Sequence, residues 1–253
     1  MRFLEGRAAL VTAASQKLGA ATAEALAERG AHVAINYYDE SDGDADTVME
    51  RLAAHGGTYA AIPGDLGTAD GVREVIAAAR MALGGGPITV LVNNYGPFSM
   101  TPFAEMPVEE FDRIWDGNVK AVYVAVRELV PEMREAGWGR IVSMSAGSAY
   151  LRNHSIYSLA KAAIMTLTES LALEVGPEIR VNAVAPGQIA ESAEDMNAQD
   201  PSFMERIVDH TPIGRLVTRP EVAALIAEMC GPLFDAVNGV TLPIDGGARI
   251  PRF

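Results

Sequence analysis

Short apolar runs alternate with longer amphipathic ones along this chain, and that rhythm narrows the fold more than any other feature. Strand character falls at Ala8–Thr12, His32–Tyr37, Thr58–Pro63, Thr89–Asn93, Arg140–Met144, Arg180–Ala185 and Val240–Ile244. Helical patterns fall near Lys17–Arg29, Asp44–His55, Ala69–Leu83, Val108–Glu135, Ser155–Val175 and Pro220–Met229. Several of the strand-like runs are apolar on both faces, as a parallel sheet covered by helices on each side requires. Repeated right-handed β-α-β units predict one α/β domain over residues 1–253, a doubly wound, Rossmann-like parallel sheet of about seven strands.

No linker or shift in composition divides the chain. Gly84-Gly-Gly-Pro87 is too short for one and reads as a helix stop before the fourth strand. One segment breaks the rhythm. Residues 188–211 carry Glu191, Glu194, Asp195, Asp200, Glu205 and Asp209 with little strand character. A substrate lid is expected there, with a surface loop as the plain alternative.

Composition sets the outer bounds. With 49% hydrophobic and 21% charged residues the chain reads as globular, not disordered. A net charge of −13 weighs against nucleic acid or an anionic membrane as partner. The single cysteine, Cys230, lies in an apolar run and reads as packing. No His/Cys/Asp cluster has metal-ligand spacing, so no metal is expected. No apolar stretch is read as membrane-spanning and Met1-Arg-Phe-Leu-Glu-Gly-Arg7 is no signal segment, so a cytoplasmic protein is expected.

Within this frame the most telling pair is Tyr157 and Lys161 in Asn153-His-Ser-Ile-Tyr-Ser-Leu-Ala-Lys161. Four residues apart on a helix, they share one face. A free phenol titrates near ~10. A cation about 4 Å away contributes up to ~4 kcal/mol at an effective dielectric of ~20, enough to bring the phenol down by as much as ~3 pH units. Alone, such a pair is usually a solvated helix face. His154, just before it, reads as decoration of the helix start.

The other landmarks sit at the carboxyl ends of the expected strands, the crevice such sheets use for ligands. Thr12-Ala-Ala-Ser-Gln-Lys-Leu-Gly19 leads from the first strand into the first helix, where a pyrophosphate rests on helix amides. Asp65-Leu66 follows the third strand, and Asn93-Asn94-Tyr95-Gly96 the fourth. Each alone is a plausible turn.

Together with Asn118, Gly139-Arg-Ile-Val-Ser-Met-Ser145, Arg180-Val-Asn-Ala-Val-Ala-Pro-Gly187 and Asp245-Gly-Gly247, these landmarks make the chain resemble the short-chain dehydrogenase/reductase family nearly end to end. The resemblance implies a nicotinamide cofactor and interconversion of a carbonyl and an alcohol on a small ketone or alcohol substrate. Tyr157 would be the proton donor or base. Lys161 would hold the cofactor ribose and tune the phenol, Asn118 would position a water, and Ser145, with Ser148 as substitute, would stabilise the oxyanion. Thr12, Ala14, Ser15, Lys17, Leu18, Gly19, Tyr37, Asp65, Leu66, Asn93, Tyr157, Lys161, Pro186, Gly187 and Ile189 would contact the cofactor. A homo-oligomer, tetramer or dimer, is the family habit; Ala121-Val-Tyr-Val-Ala-Val126 and the tail Arg249-Ile-Pro-Arg-Phe253 fit such contacts.

Departures from the family pattern sharpen the reading. Ala13 and Lys17 stand at the first two glycines of the phosphate turn; alanine fits there if its φ is negative. Lys17 supplies a cation, and the end of the second strand is Tyr37, with Asp39 beyond it, where NAD-binding members carry an acid. NADP(H) is therefore favoured over NAD(H). Ala146 occupies the usual serine slot, Tyr95 adds bulk where alanine is usual, and Glu191 replaces the threonine that touches the carboxamide. Gly137 and Leu173 stand where carrier-protein reductases present arginines, which favours a small free substrate. The competing readings are a non-catalytic dinucleotide-binding sensor or scaffold, and the dehalogenase branch, against which Lys161 speaks.

Overall fold

The computed structural model describes all residues except 40–43, 152–154, 198–199, 201 and 251–253. His154 and the end of the C-terminal tail therefore lie outside the described residues. Strands β1 (Ala8–Val11), β2 (His32–Tyr37), β3 (Tyr59–Pro63), β4 (Ile88–Asn93), β5 (Gly139–Met144), β6 (Ile179–Pro186) and β7 (Thr241–Ile244) form one sheet. Its order is β3-β2-β1-β4-β5-β6-β7, every neighbouring pair parallel. The order reverses between β1 and β4, which opens the crevice at the strands' carboxyl ends.

Pleating sends alternate residues to two separate cores. On one face Ala9, Val11, Val90, Val92, Val142 and Met144 pack with α1 (Lys17–Glu28), α2 (Ala45–Ala53) and α10 (Arg219–Met229). On the other, Leu10, Leu91, Ile141 and Val181 pack with α3 (Ala69–Ala82), α5 (Ala121–Glu135) and α7 (Ile156–Val175). Helix α1 is rich in alanine, and its buried Ala20, Ala23 and Ala27 let it lie close to α10. Gly84 and Gly85 end α3 with left-handed φ of 96° and 80°, conformations that glycine reaches without strain.

Four features differ from the expectation. Val108–Glu135 is not one helix: α4 (Val108–Trp115) passes through a π-helical turn at Asp116–Lys120 into α5. A short helix α6 (Gly147–Leu151) follows β5, and the 188–211 segment folds into α8 (Ala190–Asn197) and α9 (Phe203–Asp209). Helix α7, at 20 residues, does reach a length and apolarity able to cross a membrane. One face of it packs against β5, β6 and α4, while Leu159 and Leu173 stay exposed.

Candidate active site

The cofactor end is built around Thr12, just past β1. Its hydroxyl oxygen accepts from the backbone amides of Asn94 and Tyr95, both at 2.9 Å. The Asn94 side chain returns the tie, donating to the carbonyls of Thr12 (3.0 Å) and Ala13 (2.9 Å). Asn36, buried in β2, accepts from the Ala13 amide at 3.2 Å and donates to the Gly64 carbonyl at 3.1 Å. These asparagines knit the ends of β1, β2, β3 and β4 together. The role of Asn36 was not legible in the sequence, where it is one more polar residue near a strand end.

Gly19 is required by close approach. A Cβ there would lie 2.3 Å from the Ala13 carbonyl oxygen and 2.7 Å from the Asn94 amide nitrogen. The two substituted glycine positions are a different matter. Ala13 and Lys17 both take φ of 49°, so the negative φ expected for Ala13 is not what the chain adopts. The turn keeps the left-handed geometry glycine would supply, and the side chains crowd their own backbone. Helix α1 also begins without a side-chain cap and with no acid in its first turn, whereas Asp44, Thr68, Ser155 and Thr218 cap α2, α3, α7 and α10. Its first amides face the crevice end, where an anionic group is favoured.

The remaining cofactor candidates ring the same crevice. Ala14 and Ser15 are buried in the turn, and Leu18 packs against the first core cluster. Tyr37 ends β2, while the Asp65 carboxylate accepts from the Gly67 amide at 2.8 Å. Leu66 is core. Asn93 donates to the Ser143 hydroxyl at 3.1 Å. Pro186 ends β6, Gly187 lies against Asp245, and Ile189 bridges to Val217. The Tyr95 ring, expected near the cofactor, packs instead with the second core cluster, within reach of Gly117.

At the other end, Tyr157 and Lys161 share the first turns of α7, whose start is capped by Ser155 accepting from the Ser158 amide. The Lys161 ammonium is 3% exposed, lies 5.4 Å from the centre of the Tyr157 ring, and donates to the Met144 carbonyl at 2.8 Å. Gly96 passes directly over it. A Cβ on Gly96 would meet Lys161 Nζ at 2.9 Å and Asn118 Oδ1 at 2.4 Å. The π turn places Asn118 here. Its amide donates to the carbonyls of Pro97 (2.8 Å) and Ile114 (2.9 Å), leaving Oδ1 buried and without a partner. Gly117 was the available signal for this irregularity, since a Cβ there would lie 2.5 Å from Pro97.

Electrostatics depart from the simple sequence argument. Burial pushes the Tyr157 phenol up to about 12 and pulls Lys161 down to about 8. The expected lowering of the phenol by its neighbour is thus outweighed, because the ammonium faces the Met144 carbonyl and the Phe98 ring stands edge-on to the phenol at 4.9 Å. Ser145 donates its hydroxyl proton to the Lys161 carbonyl at 2.8 Å. Ser148, in α6, has a buried hydroxyl oxygen with no partner. Glu191 turns away from the crevice, and both its oxygens accept from the Arg219 amide, at 3.2 and 3.1 Å, at the start of α10.

Comparison with known proteins bears on the family and the fold. A family model described as Enoyl-(Acyl carrier protein) reductase matches residues 12–249. L-rhamnose 1-dehydrogenase (NAD(P)(+)) of Azotobacter vinelandii is 33% identical over 97% of this chain and 97% of its own length. Among solved structures, the Pseudomonas aeruginosa RhlG/NADP active-site complex superposes with a TM-score of 0.87 at 31% identity, covering 98% of each chain. A short-chain type dehydrogenase/reductase from Mycobacterium marinum superposes at 0.86 and 30%, covering 99% of this chain and 98% of that one.

Two outcomes follow from the strained turn and the buried lysine. Ala13→Gly is expected to stabilise the fold by about 1 kcal/mol in urea unfolding, since relief of the left-handed φ exceeds the added chain entropy. Lys161 has a depressed pKa, so the unfolded state holds more protons between about 8 and the ordinary 10.5. Stability from this group therefore rises with pH across that window. Relative to Lys161→Met, the parent should gain on the order of 2–3 kcal/mol there. Paired urea titrations at stepped pH read the difference directly, with the loss above pH 10 from the raised Tyr157 common to both proteins.

Proposed function

Because the chain belongs to the short-chain dehydrogenase/reductase family, we propose that it is an NADP(H)-preferring oxidoreductase. It interconverts a carbonyl and an alcohol on a small, free substrate. The observation that carries this reading is the convergence of Tyr157, Lys161 and the unpartnered Asn118 Oδ1 around Gly96. A structural helix face would not bury an ammonium and orphan an amide oxygen at the carboxyl ends of β4 and β5.

The residues fit a nicotinamide dinucleotide. The uncapped start of α1 and the turn folded over Gly19 suit a pyrophosphate. Asp65 stands where an adenine amino group would be met, and Lys161 where a ribose hydroxyl would be. A nicotinamide held there would supply hydride to the substrate carbon in reduction and accept it in oxidation. Tyr157 donates a proton to the carbonyl oxygen in reduction and withdraws it in oxidation. With Lys161 near 8, its proton is available to replenish the phenol, and a water on Asn118 Oδ1 connects the ammonium to solvent. Of the two serines, Ser148 has the uncommitted hydroxyl, and we assign it to the substrate oxygen. Ser145 holds α7 at Lys161. The 188–211 segment acts as lid, hinged where Glu191 caps α10.

The preference for NADP(H) rests on the exposed Lys17 cation and on Tyr37 closing β2 in place of an acid. One neighbour was captured with NADP, while a relative is named for using either nicotinamide and another neighbour was captured with NADH, so the preference rests on these residues alone. Cytoplasmic location and a homo-oligomer complete the reading, on the acidic, apolar-cored composition and the exposed Tyr123 of α5.

Nicotinamide fluorescence and ketone-dependent NADPH oxidation test the reading together. Tyr157→Phe should keep NADPH binding and lose about 10²–10⁴-fold in turnover, and Ser148→Ala about 10²-fold. Binding with no turnover by the parent would favour a sensor or scaffold instead. Lys17→Ala should weaken NADPH about tenfold and leave NADH unchanged; equal weakening of both would remove the basis for the preference.

A further inference from the structure

Phe98 is 60% exposed, yet its ring stands edge-on to the Tyr157 ring with centroids 4.9 Å apart and planes at 67°. The loop that carries it, between β4 and α4, has no regular secondary structure but is firmly tied. Ser99 and Thr101 donate their hydroxyl protons to Glu110 Oε1 at 2.6 and 2.9 Å, and the Thr101 amide donates to the Ser99 oxygen at 3.0 Å. On the other side of Phe98, the Pro97 carbonyl accepts from Asn118. The backbone on both sides of Phe98 is thus anchored independently of what the ring touches. Met100, 58% exposed, continues the apolar surface along the same loop.

This placement constrains the substrate. A carbonyl whose oxygen meets the Tyr157 hydroxyl has its substituents beside that phenol, and the exposed Phe98 ring packs against the same phenol. A flat, apolar group there gains an aromatic contact and removes the exposed ring from water. A polyol would leave hydroxyls facing hydrocarbon without partners.

We infer that Phe98 is the specificity-determining residue of this site and selects ketones, and the matching secondary alcohols, that bear an aryl ring next to the reacting carbon. The inference deepens the redox reading above and rests on it. The test compares acetophenone with 2-octanone, matched in carbon number, as substrates of the full-length protein with NADPH. The parent should favour acetophenone in kcat/KM. Phe98→Ala should lose about tenfold on acetophenone and less than about threefold on 2-octanone, with NADPH binding unchanged. Phe98→Leu, which keeps apolar bulk without the ring, should fall between. Equal losses on the two ketones, or none on acetophenone, overturn the assignment of Phe98 and leave the redox reading standing. A parent that binds NADPH but reduces neither ketone overturns both.

Discussion

A lysine ammonium inside an apolar sheet protein has to be compensated, and much of this site is arranged to do so. Lys161 gives one hydrogen bond to the Met144 carbonyl at the end of β5, while Gly96 at the end of β4 crosses above it without a side chain. The same approach brings Asn118 in from the π turn. Two strands and two helices are therefore fixed relative to one another by a single buried cation. Removing it would relax the desolvation penalty but also free the elements it aligns.

The phenol beside it is shaped by the opposite tendency. Burial favours its neutral form, and the ammonium is directed toward a carbonyl instead of toward the phenol. A protonated tyrosine is the form needed to donate to a carbonyl oxygen, so the arrangement is suited to reduction. Burial acts on the lysine beside it in the other direction, pulling the ammonium down to about 8.

The sheet was legible because strand runs apolar on both faces have few other solutions, and each observed strand lies within a residue of its expected ends. Tyr157, Lys161 and Asn118 were legible from spacing and resemblance. What escaped were features set by tertiary approach. A π turn at Asn118 has no periodic signature, and the left-handed φ of Ala13 and Lys17 contradicts the ordinary preference of those residue types. Likewise nothing in the local sequence tells Glu191 that its partner is an amide 28 residues on. The direction of the Tyr157 shift depends on burial, which composition does not report.

The grip of Glu191 on the first amide of α10 has a consequence for thermal behaviour. Helix α10 belongs to the core on the α1 side of the sheet, and α8 is fastened to its end through Glu191. Warming that loosens this terminus frees α8 before the sheet itself gives way, because frayed helix ends open at lower free energy than central strands. Local opening would then precede global melting, with its onset set at the first turn of a helix on the opposite core from Tyr157 and Lys161.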